Sequence, residues 1–132
     1  MPRDPVRPEG VAYPDAAAFP LSPGAAAGGW LFLSGCVPVD ASGALVGGTD
    51  VGAQTEQVFA NMAAVLAARG GSLDDVLKCN VYLADIRTFQ AMNDVFARHF
   101  PADPPARTTV EARLADPHWL VEIEAVAFLG ED

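Results

Sequence analysis

The chain reads as an α+β domain, a mixed β-sheet backed by two helices on one face. Three observations predict it. Two stretches, Val51 to Arg69 and about Asp85 to Phe100, carry apolar residues at helical spacing. Two others, Val76 to Leu83 and Pro104 to Phe128, alternate apolar and polar residues with the period of a half-buried strand. The 132 residues, 51% apolar and 19% charged, suffice for one globular domain with its own core.

Residues 1–10 are rich in proline and charge and read as a flexible N-terminal tail, ahead of a single domain over residues 11–132. Val11 to Pro23 mixes proline with apolar residues, as an extended edge segment does. Gly28-Gly29 marks a turn. Trp30 to Cys36 (Trp-Leu-Phe-Leu-Ser-Gly-Cys) is apolar on both faces, so both need cover, one from helices and the other from a second subunit. Asp40 to Gly48 is turn chemistry around a short strand, without the Gly-Lys-Ser/Thr ending of a phosphate loop. The first helix presents Val58, Met62, Val65 and Leu66, with Phe59 beside them, and stops at Gly70-Gly71.

Asp74-Asp75 then reads as a solvated turn. In Val76 to Leu83, Leu77, Cys79, Val81 and Leu83 form the apolar face, opposite Lys78, Asn80 and Tyr82. Asp85 or Thr88 caps the second helix, whose buried stripe is Phe89, Met92, Phe96 and Phe100. Asn93 borders that stripe, and Pro101 ends the helix.

The final stretch holds the candidate chemistry. Thr108, Val110, Ala112 and Leu114 share one face, and Arg107, Thr109, Glu111 and Arg113 the other. After a break at Ala115 to Trp119, Val121, Ile123, Ala125 and Ala127 alternate with Glu122 and Glu124. The turn at Asp116-Pro117 predicts that the two halves pair as antiparallel neighbours. Burying both apolar faces in one core would gather Arg107, Thr109, Glu122 and Glu124 on the opposite face. Such a face is either a solvated surface with cross-strand ion pairs or a site where arginine holds an anion and a carboxylate polarises water.

Charge narrows the partners. The formal net charge is −9, and Lys78 is the only lysine, which disfavours nucleic acid. No apolar run approaches the ~20 residues of a membrane span, and the first residues lack the apolar core of a signal peptide, so a cytoplasmic location is expected. Cys36 and Cys79 sit in apolar strand patterns and read as packed thiols without a disulfide. His99 and His118 have no ligand spacing around them, so no metal is expected.

Four motifs in order carry a resemblance: Leu33-Ser34-Gly35; Asn61 to Val65 with Gly70-Gly71 and Asp75-Val76 after it; Phe89 through Asn93 to Phe100; and Pro105 to Glu111 followed by Val121 to Ala127. Together they resemble the RidA (YjgF/YER057c/UK114) family from about Leu21 to Ala127. The resemblance implies a chorismate-mutase-like fold, a homotrimer whose sheets form a central barrel, and pockets between subunits. It also implies hydrolytic deamination of reactive 2-imino or 2-enamino acids to 2-keto acids and ammonia, with no metal or organic cofactor. On that reading Arg107 and Glu122 are catalytic: Arg107 holds the substrate carboxylate, and Glu122 orients water and exchanges its proton. Backbone groups at Thr109 and Gly35 hold the imine and water, and Ser34, Asn93 and Phe89 complete the substrate-binding set.

Two departures stand out. Phe19-Pro20-Leu21-Ser22 replaces the usual Gly-Pro-Tyr, and Cys36 stands where Gln is frequent. They fit an Arg-bearing side branch of the family that lacks the usual tyrosine, or a specialised substrate, for instance in a biosynthetic pathway. Two further readings stay open, a non-catalytic trimer that binds small carboxylates or regulates partners, and, weakest, an RNA-cleaving protein.

Overall fold

The computed structural model describes residues 2–12 and 19–130. Within the expected edge segment Val11 to Pro23, residues 13–18 lie outside the described residues. The order is β1 (Asp4–Val6), β2 (Gly24–Ala27), β3 (Trp30–Cys36), α1 (Val51–Ala67), β4 (Val76–Leu83), α2 (Phe89–His99), β5 (Ala106–Glu111) and β6 (Val121–Phe128). The six strands form one mixed sheet, ordered β1-β2-β3-β6-β4-β5. Gly28 and Gly29 turn β2 into β3 with φ of 55° and 86°, left-handed values that favour glycine. Asp50 caps α1 by accepting from the backbone N–H of Gly52 (2.9 Å) and Ala53 (3.2 Å), and Gly70 closes it at φ 75°.

Both helices cover one face of the sheet. Leu31 and Leu33 of β3, Cys79, Val81 and Leu83 of β4, and Ile123 of β6 are buried there against Val58, Phe59, Met62 and Val65 of α1 and Met92 and Phe96 of α2. Among the described residues no layer covers the other face. Trp30 and Phe32 remain 43% and 54% exposed, and Val110 is exposed beyond them. No helix among the described residues is long and apolar enough to cross a membrane.

Four expectations change. First, residues 1–10 are not all tail: Asp4–Val6 pairs antiparallel with β2, and Val6 is buried in the core. Second, β5 and β6 are not neighbours. Strand β4 lies between them, antiparallel to β6 and parallel to β5. The β4–α2–β5 run is a strand–helix–strand crossover, which delivers parallel strands, whereas the nine-residue link after β5 steps across β4.

Third, that pairing inverts β5. Arg107 and Thr109 stand in register with Cys79 and Val81, on the helix side, while Thr108 and Val110 share the open side with Tyr82, Glu122 and Glu124. Arg107 and Glu122 of one chain therefore occupy opposite faces. Fourth, Leu77 is exposed rather than core. A register shift between Val76 and Lys78 buries Val76 in its place.

Candidate functional site

Glu122 sits in mid-sheet on β6, opposite Tyr82 on the open face. A bulge between Leu33 and Cys36 on the neighbouring β3 brings Gly35 against it. A Cβ at position 35 would lie 2.3 Å from Glu122 Oε2, so only glycine leaves the carboxylate its place. The Glu122 carboxyl is half-buried. Burial first, and the Glu124 charge second, push its pKa above the usual carboxylate range. Arg107 does not enter that balance, in keeping with its place on the other face. Glu124 is engaged by Tyr82, whose hydroxyl donates to it; this bond, burial and the nearby carboxylates raise the Tyr82 pKa.

Glu122, Ser34 and Gly35 line a cavity of about 710 Å³, whose other walls include Phe19, Leu21, Val37, Val39 and Trp119. Buried polar side chains of α1 pin two of these walls. Asn61 Nδ2 donates to the carbonyls of Val37 (2.8 Å) and Val39 (2.9 Å). Gln54 Nε2 donates to the carbonyls of Gly48 (2.7 Å) and His118 (3.0 Å), and its Oε1 accepts from Leu120 N–H (2.7 Å), which holds the loop bearing Trp119. The Ser34 hydroxyl donates to the Ser22 carbonyl (2.5 Å), so toward the cavity it can only accept.

Arg107 forms a second group of residues at the β5 edge. Its guanidinium carbon lies 4.6 Å from the Phe96 ring centroid and 5.4 Å from that of Phe89, a flat platform for a planar cation. The Thr109 Oγ1 on the same side is buried without a hydrogen-bond partner among the described residues. Such an atom is costly unless something outside the chain satisfies it. Asn93 lies half-buried on α2, four residues beyond Phe89. Cys79, in register with Arg107, has its pKa pushed up to about 12 by burial, against the pull of Arg107 and Lys78, and stays a packed thiol. Cys36 is buried too, and its thiol lies 3.6 Å from the Ser34 carbonyl oxygen.

The seven residues singled out in the sequence thus fall into two sets. Ser34, Gly35 and Glu122 meet in the cavity; Arg107, Phe89 and Thr109 gather on the helix side of β5, with Asn93 on the adjoining helix. Trp119, Val37 and Val39 escaped the sequence reading. Trp119 lay in a stretch read only as a break, and the buried Gln54 and Asn61, polar residues inside an apolar stripe, were the available signal that α1 anchors loops.

The comparisons decide the family. The sequence model of the Endoribonuclease L-PSP family matches residues 12–129. A RutC family protein of Pyrococcus horikoshii is 44% identical over 110 residues, 83% of this chain and 86% of that one. The chain belongs to the RidA/YjgF family. Among solved structures, a Rid-family protein of unknown function, YyfA from Yersinia pestis, superposes with a TM-score of 0.88 at 30% identity, over 96% of this chain and 99% of that one. RidA from an Antarctic Psychrobacter gives a TM-score of 0.84 at 31% identity, over 95% and 98% of the two chains. The α+β architecture is thus that of the RidA/YjgF family, and Ser34-Gly35, Arg107 and Glu122 all lie inside the matched region.

Proposed function

We propose that this RidA/YjgF protein hydrolyses reactive 2-imino and 2-enamino acids to 2-keto acids and ammonia, in clefts between the subunits of a homotrimer. The observation that carries the reading is the Glu122 carboxyl, half-buried against Gly35 with its pKa raised. A carboxyl with a raised pKa can take a proton from water as it attacks the imine carbon and pass it to nitrogen, giving the carbinolamine; the same carboxyl then moves the hydroxyl proton to nitrogen as the C–N bond breaks, leaving the keto acid and ammonia. The imine is already electrophilic, so positioning and one proton shuttle suffice.

The substrate carboxylate needs a cation, and the Arg107 guanidinium lies over two rings, with a fork that can make a bidentate pair. Because Arg107 and Glu122 stand on opposite faces of one sheet, the reading requires Arg107 of one copy to meet Glu122 of another. The uncovered apolar residues Trp30 and Phe32 support such an assembly. An RNA-cleaving role, which the family's name would suggest, has little support in a chain of net charge −9 with one lysine.

The test is ammonia release from imines generated in place by an amino-acid oxidase. Arg107→Ala should nearly abolish it, since each lost charge-assisted hydrogen bond is worth about 1.5–3 kcal/mol. Arg107→Lys should fail too, because a point charge cannot reproduce the fork. Glu122→Gln should lower kcat by roughly 10²- to 10⁴-fold while carboxylate binding persists. Wild-type activity in Arg107→Ala would refute the site. No turnover by the wild type would favour a non-catalytic carboxylate-binding trimer.

A further inference from the structure

The cavity beside Glu122 is larger and more apolar than a two- or three-carbon acid requires. Its volume of about 710 Å³ falls in the ~300–1,000 Å³ range of pockets that enclose drug-sized ligands. Phe19, Leu21, Val37, Val39 and Trp119 supply apolar surface, and among the described residues Glu122 is the only charged one on the lining. We propose that this cavity receives the substrate's side chain, and that the preferred substrates are 2-imino acids bearing a bulky apolar group, branched aliphatic or aromatic. The inference rests on the reading of Arg107 and Glu122 given above and adds the substrate class.

Charge fixes the orientation. A ligand carboxylate inside this cavity would face Glu122 with no cation on the lining among the described residues, so the acid end must point outward, to the arginine of the neighbouring copy. What enters is the uncharged remainder. A hydroxymethyl or carboxymethyl side chain would strand its polar atoms against leucine, valine and tryptophan. The Ser34 hydroxyl does not relieve that, since its proton is given to the Ser22 carbonyl.

The walls are also built to keep their shape. Asn61 and Gln54, 4% and 0% exposed, tie the Val37–Val39 segment and the Trp119 loop to α1. Leu21, on the same wall, offers an aliphatic side chain and no hydroxyl. Large apolar side chains therefore gain contact surface against Leu21, Val37, Val39 and Trp119, where no polar side chain has to be desolvated except the Trp119 ring N–H.

The experiment compares imines formed in place from alanine, serine, leucine and phenylalanine, with catalase present and 2-keto acid formation followed above the uncatalysed rate. The leucine- and phenylalanine-derived imines should exceed the others in kcat/KM by about ten- to a hundredfold, the discrimination that one or two buried methylenes provide. Leu21→Asp, at an exposed position the fold does not lean on, should erase that advantage; Trp119→Ala should reduce it most for the phenylalanine-derived imine. Equal kcat/KM values, or a preference for the small imines, would overturn the inference while leaving the deaminase reading intact. If no imine is turned over, that reading falls alone, and calorimetry then decides the substrate class. Phenylpyruvate should bind at least about tenfold more tightly than pyruvate, and equal Kd values would overturn the inference.

Discussion

At the scale of single residues the Glu122–Gly35 contact is the tightest constraint on the candidate chemistry. Gly35→Ala puts a methyl group where the carboxylate now sits, and a flexible side chain can swing away, so the fold should survive. The carboxylate should not stay in place. We expect kcat to fall by roughly 10²-fold, approaching the loss of a general base, with little change in melting temperature. Normal activity in Gly35→Ala would show that the carboxylate's position is not critical. Glu122 also makes a prediction about stability. Its folded-state pKa lies above the unfolded value of about 4.3, so its favourable contribution is complete below that value and is lost as pH rises through the folded one. Glu122→Gln removes the penalty of a desolvated charge beside Glu124. In an Arg107→Ala background, which takes the neighbouring copy's cation away from Glu122, the melting temperature should therefore match the parent near pH 4 and exceed it increasingly toward neutral pH; a variant less stable at pH 7 would contradict this.

At the scale of elements, α1 does more than fill the core. Gln54 satisfies three backbone groups from two loops and is fully buried, so Gln54→Leu would leave those groups orphaned at about 1–3 kcal/mol each. The expected result is a clear loss of stability in urea and a faster quenching of Trp119 fluorescence, read in a Trp30→Phe background. Unchanged quenching would mean that the loop is held by other contacts. Both helices and the strands β4, β5 and β6 were legible from periodicity, because 3.6- and two-residue spacings report which residues share a face, and β3 was legible from its apolar run. Periodicity is silent about which face is buried. On β5 the face bearing Arg107 looked like surface, yet rings from α2 cover it, while Val110 on the apparently apolar face stands exposed. The strand–helix–strand order of β4, α2 and β5 held the missing information, since such a crossover makes parallel neighbours. Leu77 failed for a related reason: a bulge resets the alternation, and nothing in the side chains announces one.

At the scale of the whole molecule, a sheet covered on one face and open on the other leaves Trp30, Phe32 and Val110 in water, an arrangement that favours association. The trimer reading predicts about three times the chain mass by light scattering at micromolar concentration. A stable monomer would remove both the assembly and the shared cleft. Mixing inactive variants tests the cleft itself. In a closed ring of three, every interface is the same head-to-tail contact, so each site takes Arg107 from one subunit and Glu122 from the next. Arg107→Ala and Glu122→Gln chains would each form dead homotrimers. In a mixed trimer one interface joins an intact arginine to an intact glutamate, so one of its sites is restored. Random assembly of equal amounts makes about three quarters of the trimers mixed, which returns about a quarter of the wild-type sites. Co-refolding the two variants should therefore recover roughly that share of imine hydrolysis, whereas each alone recovers none. A site built within a single chain would give no recovery at any ratio, because no chain in the mixture carries both side chains.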